Sequence, residues 1–393
     1  MFNRHHTSSV RHRHRRGDPG SQTGSPPRIF LARDWIHFHD DEAPSAPVRR
    51  ARVSLSQEAR PPTLCAIAPV PVGEPRPTFS VMLPTYEPDH RLGRSLAAVL
   101  AQAPDPAAMQ IAVVDDGSRQ VDVLALVRSF DPAGRVEVHL NQRRAGLAGN
   151  WNRCLSLARG KFVHLLHQDD HVLPGFYDRI GHGFRAAPGI GMAFCRSRIV
   201  DGNDHLIKTA SRQQWTAGVL GGWLPRIAER QRVQTPAAVV ARSTYERLGG
   251  FRTDLCHALD WEMWVRIAAA TPVWYDPRVL AVYRRHRDNE SHRLLKSGAV
   301  WPDLLQAIEL NSSLLPAVNR ERVRERSARW YAGSALRTVE KQLARGDLDA
   351  AGRTLDHLPE MLRLLPGGGD RSAPLRRVGR LQDRLRTARR RAA

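Results

Sequence analysis

Residues 78–118 read TFSVMLPTYEPDHRLGRSLAAVLAQAPDPAAMQIAVVDDGS. Two short apolar runs, FSVMLP and MQIAVV, each end in polar or acidic residues. Between them Leu92, Leu96, Val99 and Leu100 recur at helical spacing. A run that is apolar at every position suits a strand buried on both faces, as in a parallel sheet covered by helices. The same alternation continues with VDVLALVRSF as a helix, RVEVHLNQ as a third strand, AGNWNRCLSLAR as a third helix and KFVHLLHQDD as a fourth strand. The fold class is therefore α/β, a mostly parallel sheet with flanking helices. Ligands bind such sheets outside the carboxyl ends of the strands. Here those ends carry Thr85 and Glu87, then Asp115 and Asp116, then Asn141, then Asp169 and Asp170. Adjacent carboxylates repel, so acids along one edge need a donor-rich ligand or a cation nearby.

Outward from this stretch the texture changes twice. Residues 1–75 mix Arg/His runs with Pro- and Gly-rich pieces and show no sustained period, which predicts a basic, poorly ordered leader. Within it, residues 29–40 (IFLARDWIHFHD) are apolar enough to dock on something. Residues 76–295 hold the strand–helix alternation and a less regular middle. Residues 300–393 are helical, with a break at Gly346–Asp347 that predicts a helical hairpin resembling one tetratricopeptide-type unit. One such unit cannot bury its own apolar face, so it must pack on the core or on a partner. The tail places Leu375, Val378, Leu381 and Leu385 along one side of an arginine-rich helix. That pattern suits either packing on the hairpin or an anionic membrane surface.

Composition excludes several classes. Four scattered cysteines without a CxxC pair rule out a disulfide scaffold and point to reduced thiols. The longest apolar stretch, residues 97–114, is interrupted by Gln102, Pro104, Asp105 and Pro106, so no membrane span is expected. The charged start is followed by no apolar core of a secretory signal. The net charge of +21 is concentrated toward the two ends of the chain. It suits an anionic surface, phosphate-bearing substrates or nucleic acid. Against nucleic acid, the basic tail lacks interleaved aromatics.

LPTYEP, IAVVDDGS, the spaced residues Asn141, Gly146, Asn150 and Asn152, FVHLLHQDDHVLPG, RLGGF and LDWEMWVRIA follow one another in the order and spacing of the inverting family-2 glycosyltransferases. Six such motifs in sequence resemble that family over roughly residues 78–289. The resemblance implies the GT-A fold, with a Rossmann-like half for a nucleoside-diphosphate sugar and an acceptor-binding half behind it.

It also implies roles for individual residues. Pro84, Thr85, Tyr86 and Glu87 would border the base and ribose, Asp115 or Asp116 would accept hydrogen bonds from them, and Asn150 would shape the pocket. The family's DxD signature, which holds a divalent cation (Mn2+ or Mg2+) against the diphosphate, aligns with His167–Gln168–Asp169. Asp169 is the expected ligand, Asp170 is expected to position the sugar, and His167 either ligates or caps the strand. Imidazole in place of the first carboxylate favours Mn2+ over Mg2+. His286 resembles a histidine that completes the metal shell in some relatives. Asp260 of LDWEMW aligns with the family's catalytic base, a carboxylate that takes the acceptor hydroxyl proton. Glu262 projects well round the helix from Asp260, so the two are not expected in one site. Gly249, Gly250 and Phe251 would form a turn under the acceptor site.

The expected protein is thus a cytoplasmic, metal-dependent inverting glycosyltransferase of cell-surface or secreted glycan biosynthesis, peripheral at the inner face of the membrane. Its acceptor would be a glycan or a lipid-linked precursor. Two rivals are a nucleotide-sugar-binding pseudoenzyme, motivated by His167, and a basic nucleic-acid binder, motivated only by charge.

Overall fold

The computed structural model describes residues 64–103, 105–365 and 369–392. The segment 29–40 and the leader as far as residue 63 lie outside the described residues. The first half alternates as read: β1 (Phe79–Thr85), α1 (Arg91–Leu100), β2 (Met109–Asp115), α2 (Val123–Phe130), β3 (Glu137–Leu140), α3 (Gly146–Leu157) and β4 (Phe162–Leu165). Then follow β5 (His171–Val172), α4 (Phe176–Ala186), β6 (Met192–Val200), β7 (Leu206–Thr209), β8 (Gly218–Val219) and α5 (Trp223–Glu229). A 3-10 turn (Thr235–Ala237) leads into β9 (Ala238–Ala241), α6 (Arg242–Leu248), α7 (Leu259–Ala270) and β10 (Val273–Arg284). The chain ends in α8 (Glu290–Ser297), α9 (Val300–Ser313), α10 (Ala317–Ala344), α11 (Leu348–Arg363) and α12 (Gly369–Ala392).

All of the strands join one sheet in the order β3-β2-β1-β4-β9-β6-β10-β5, with β7 on β6 and β8 on β10. β3, β2, β1 and β4 run parallel, and β9 enters antiparallel between β4 and β6. Every residue of β1 and β2 is buried, which is why Val81–Leu83 and Ile111–Val114 are apolar at consecutive positions, while the buried Ser80 and Gln110 hydrogen-bond to each other. The chain leaves β1 toward β2 on one side and returns through α3 to β4 on the other. The crevice at the ends of β1 and β4 is therefore a topological switch point, where ligands bind. In register, Thr85 lies beside Asp115, so the polar residues that end both strands come out at the same level.

The structure moves two boundaries. Residues 64–68, within the expected leader, are part of the packed body: Ile67 is buried, Cys65 O accepts from Gly250 N, and Ala68 O accepts from Arg242 Nη2. The fourth strand stops at Leu165, which frees residues 167–170 to form a turn.

The helical region packs on the sheet domain. Tyr331 of α10 lies 5.1 Å from Trp261 of α7, ring to ring, and its hydroxyl accepts from Gln231 N. The break between α10 and α11 falls where expected, with Asp347 capping α11 through Ala350 N. In α12, Val378, Leu381 and Leu385 are buried while Leu375 is exposed. Of the two alternatives for this stripe, Val378, Leu381 and Leu385 take the packing on the hairpin, and Arg377 pairs with Glu340 of α10. Among the described residues no helix is long and apolar enough to cross a membrane. The four cysteines are free.

Candidate active site

A cleft of about 240 Å3 opens at the switch point. Its walls include Pro84, Thr85 and Tyr86 from the end of β1, Asp116, Asn150 and Trp151 beside them, and His167, Gln168 and Asp169 from the turn after β4. The lining also includes Gln234 and Thr235, Cys256, His257, Leu259 and Asp260, and, from the end of β10 onward, Tyr283, His286, Asp288, Asn289, Glu290, Ser291 and Leu294.

The β1 end is rigid because its neighbours hydrogen-bond to its backbone. Gln168 pairs with Tyr86 in both directions, Tyr86 N donating to Oε1 at 2.9 Å and Nε2 donating to Tyr86 O at 3.2 Å. Asn150 Nδ2 donates to Val114 O at 3.0 Å and Thr85 O at 3.4 Å, tying the ends of β2 and β1 together. Asp116 accepts Ala145 N at 2.7 Å and Gly146 N at 2.9 Å, the first amides of α3, which carry no cap from Ala145 itself. The Tyr86 ring is partly exposed, with the Arg144 guanidinium 3.8 Å from its centroid. That is a cation–π pair with an aromatic edge open to the cleft.

Three expected residues do not reach the cleft wall. Asp115 is spent on Thr85 Oγ1 and on Ser118 N and Oγ, so it builds the turn after β2. Glu87 accepts from Arg119 N and Gln120 N, and holds a left-handed backbone (φ 44°) that few non-glycine residues adopt. Asp170, expected to position a sugar, lies behind the wall at 1% exposure, with Oδ1 accepting Arg284 N at 2.8 Å.

Asp170 instead supports a cluster. His167, Asp169 and Asp170 bring ligand atoms within 4.8 Å of one another, with His167 Nδ1 3.3 Å from Asp170 Oδ2. His286 Nε2 reaches Asp169 Oδ2 at 2.8 Å. His167 Nε2 is buried without a hydrogen-bond partner. Buried polar atoms are rarely left so. Burial opposes ionisation of Asp169, but the hydrogen bond from His286 and the charge on His167 overcome it and hold the carboxyl below its usual range. Burial and the neighbouring Asp169 push Asp170 up to about 6. Burial works against a charged His167, and Asp170, Asp169 and Asp260 more than offset it, lifting the imidazole above its usual value. An orphaned ligand atom and mixed imidazole–carboxylate donors fit a divalent cation, Mn2+ in particular.

Asp260 stands in the same cleft, in the first turn of α7. It is not the helix cap, since Ala258 occupies that position. Its Oδ1 accepts Trp261 N at 2.6 Å and its Oδ2 accepts the Thr235 hydroxyl at 3.2 Å. Burial raises its carboxyl to about 6, against the opposing pull of the Trp261 amide and Thr235. Glu262 points elsewhere, in a 2.8 Å ion pair with Arg266. Arg266 in turn donates to Leu248 O and Gly250 O and so braces the Gly249–Gly250–Phe251 turn. Asn152 clamps the same turn, donating to Phe251 O at 2.9 Å and accepting Phe251 N at 2.7 Å.

The sequence reading missed Thr235, Gln168, Trp151 and the segment Asp288–Leu294. Thr235 and Trp151 carry no charge to mark them, while Gln168 lies inside the expected His167–Asp169 triplet. The polar run DNES after the expected His286 was the only available hint.

Residues 80–242 match the family described as Glycosyl transferase family 2. An uncharacterized protein of Mycobacterium tuberculosis is 29% identical over 237 residues, which are 58% of this chain and 73% of that protein. An uncharacterized glycosyltransferase of Methanocaldococcus jannaschii is 21% identical over 201 residues, 50% of this chain and 67% of that protein. Among solved structures, S. aureus TarS 1-349 in complex with UDP-GlcNAc superposes with a TM-score of 0.57 at 16% identity, covering 79% of this chain and 90% of that one. The same fragment in complex with UDP gives a TM-score of 0.53 at 15% identity, over the same shares of the two chains. At these identities the likeness concerns the fold.

Proposed function

We propose that this chain, which belongs to glycosyl transferase family 2 through its residues 80–242 and has the GT-A fold, is an inverting enzyme that moves one sugar from a nucleoside-diphosphate donor to an acceptor hydroxyl. One observation carries the reading: a single cleft is lined both by His167 and Asp169 of the cluster and by Asp260. Inversion requires a leaving diphosphate on one side of the anomeric carbon and a proton acceptor on the other, the roles read here for the cluster and for Asp260.

Asp260 takes the proton of the attacking hydroxyl, and Thr235 holds its Oδ2 in place. Tyr86, stacked under Arg144, offers a face for the base, while Asn150 and Asp116 keep the two strand ends at the right separation. His167, Asp169 and His286 would hold the cation. A divalent cation held there would supply Lewis-acid neutralisation of the leaving diphosphate. The acceptor is read as a glycan or lipid-linked precursor at the cytoplasmic face, within cell-surface or secreted glycan biosynthesis. Any membrane attraction through α12 then rests mainly on its arginines, because Val378, Leu381 and Leu385 of its apolar stripe are buried.

Thermal unfolding with UDP, GDP and their hexose and N-acetylhexosamine derivatives, with and without Mn2+, tests the donor half. A ligand of the folded state at a hundred times its Kd stabilises by about 2.7 kcal/mol. A Mn2+-dependent rise in Tm for one nucleotide group is expected. No rise with any of them contradicts the proposal.

A further inference from the structure

The C-terminal helices reach the site through one carboxylate. Asp303, in the first turn of α9, is 6% exposed and accepts three backbone hydrogen bonds from chain 45 to 47 residues away. The donors are Cys256 N at 2.7 Å, His257 N at 2.9 Å and Ala258 N at 2.6 Å. These residues lead directly into α7, whose cap position is an alanine without a capping side chain. A helix start leaves its first amides without partners, and here a distant acid supplies the acceptor at the entry to the helix. Gln306, one turn further along α9, donates to Asp254 Oδ2 at 2.7 Å, so two side chains of one helix grip residues 254–258. Cys256, His257, Leu259 and Asp260 all line the cleft. The segment that Asp303 holds is therefore cleft wall, and the next turn carries the base.

We propose that Asp303 is a positioning residue for sugar transfer, fixing the start of α7 and with it the carboxylate of Asp260 relative to the donor cleft. The proposal rests on the reading of Asp260 as the base. A misplacement of about 1 Å at a reacting group costs about 10²-fold in rate. Asp303 also places a negative charge at the positive end of the α7 dipole. Removing that charge exposes Asp260 to the full positive helix end and lowers its pKa. The other groups that face Asp260 are His167 from the turn after β4, Thr235, Gln231 and Tyr331 of α10, and they stay in place in an isosteric variant.

The test is Asp303→Asn in the full chain, which keeps the shape and offers one acceptor oxygen instead of two. Backbone exchange over residues 254–262, the Asp260 titration followed by carbon-13 NMR, UDP affinity with Mn2+, and transfer at saturating donor are compared with the parent. The expected result is at least tenfold faster exchange at 256–258, a lower Asp260 midpoint, and a transfer rate about 10²-fold down. UDP affinity and donor KM should stay within twofold. Asp303→Glu, which keeps the charge, should restore the midpoint, and it serves as the folded control if the asparagine variant is unstable. Unchanged exchange and midpoint overturn the proposal, and so does a loss of UDP affinity that parallels the loss of transfer, because that marks general unfolding. If Asp260→Asn retains transfer, the reading of the base fails instead, whatever Asp303 does.

Discussion

His286 Nε2 stands 2.8 Å from Asp169 Oδ2, joining two residues 117 positions apart in the chain. The contact closes the turn after β4 against the end of β10, so opposite halves of the sheet supply one donor cluster. Asp169 is held ionised there by His286 and His167 in spite of its burial. An anion in that position, ringed by imidazoles, is suited to a cation and poorly suited to a phosphate oxygen directly.

Asp169→Ala is expected to remove most of the Mn2+ enhancement of UDP binding. His286→Ala is expected to weaken it less, by about tenfold, as loss of one supporting group in a metal shell does. Calorimetric titration of UDP with and without Mn2+ measures both. Parent-like enhancement in Asp169→Ala removes that residue from the site.

The pH profile should report Asp260. Its carboxyl is raised to about 6, first by burial, and a base works only when ionised. The transfer rate at low donor should therefore climb as pH rises through about 6 and level off above it. Thr235→Ala removes a hydrogen bond to the ionised form, so the rise should move to higher pH. The stability effect has the opposite sense. The folded state holds the Asp260 proton more tightly than the unfolded state does, so this group favours folding at low pH and that contribution is lost as pH rises through about 6. Asp260→Asn should accordingly keep or raise the Tm at pH 7. A parent pH profile flat between pH 5 and 8 excludes the assignment.

The alternation of β1 to β4 was legible because strands buried on both faces are largely apolar at consecutive positions, and Val81–Leu83 and Ile111–Val114 are. Asp260, Asp169 and His167 were expected from motif order and His286 from its likeness to a histidine of some relatives, and the fold brings all four to one cleft. Asp115, Glu87 and Asp170 do not line the cleft, because an acid at a strand end serves a turn amide as readily as a ligand. Only the hydrogen bonds of Ser118, Arg119 and Arg284 reveal that theirs are used locally. Asp303 was invisible in sequence, since its partners are backbone amides that carry no side-chain signature. The α12 leucines show the same limit: an amphipathic stripe states that a face is apolar, not what covers it.

Leu381 is 2% exposed within the packed C-terminal helices. Leu381→Ala should destabilise by about 2–5 kcal/mol, as large-to-small changes in a core do, read by denaturant unfolding. Binding to anionic vesicles should be unaffected by this change and should vanish at high salt. Unchanged stability together with lost vesicle binding revives the apolar anchor.

Asn152→Ala removes both hydrogen bonds to Phe251 and leaves a buried amide and carbonyl unpaired, at about 1–3 kcal/mol for each unsatisfied group. Gly250→Ala should be harmful for a related reason, because a Cβ there would come within 2.3 Å of Asn152 Oδ1. Denaturant midpoints of the two variants test this, and a midpoint equal to the parent's in both would show that the clamp contributes nothing.

The most direct measurement is a proton NMR time course of sugar transfer, read at the anomeric position, for the parent and for Asp260→Asn with Mn2+ present. The expected result is a product of inverted configuration from the parent. From the variant, a rate lower by about 10²–10⁴-fold is expected, with its UDP affinity unchanged. A product of retained configuration, or a variant rate above about a tenth of the parent's, would contradict a single displacement with Asp260 as its base.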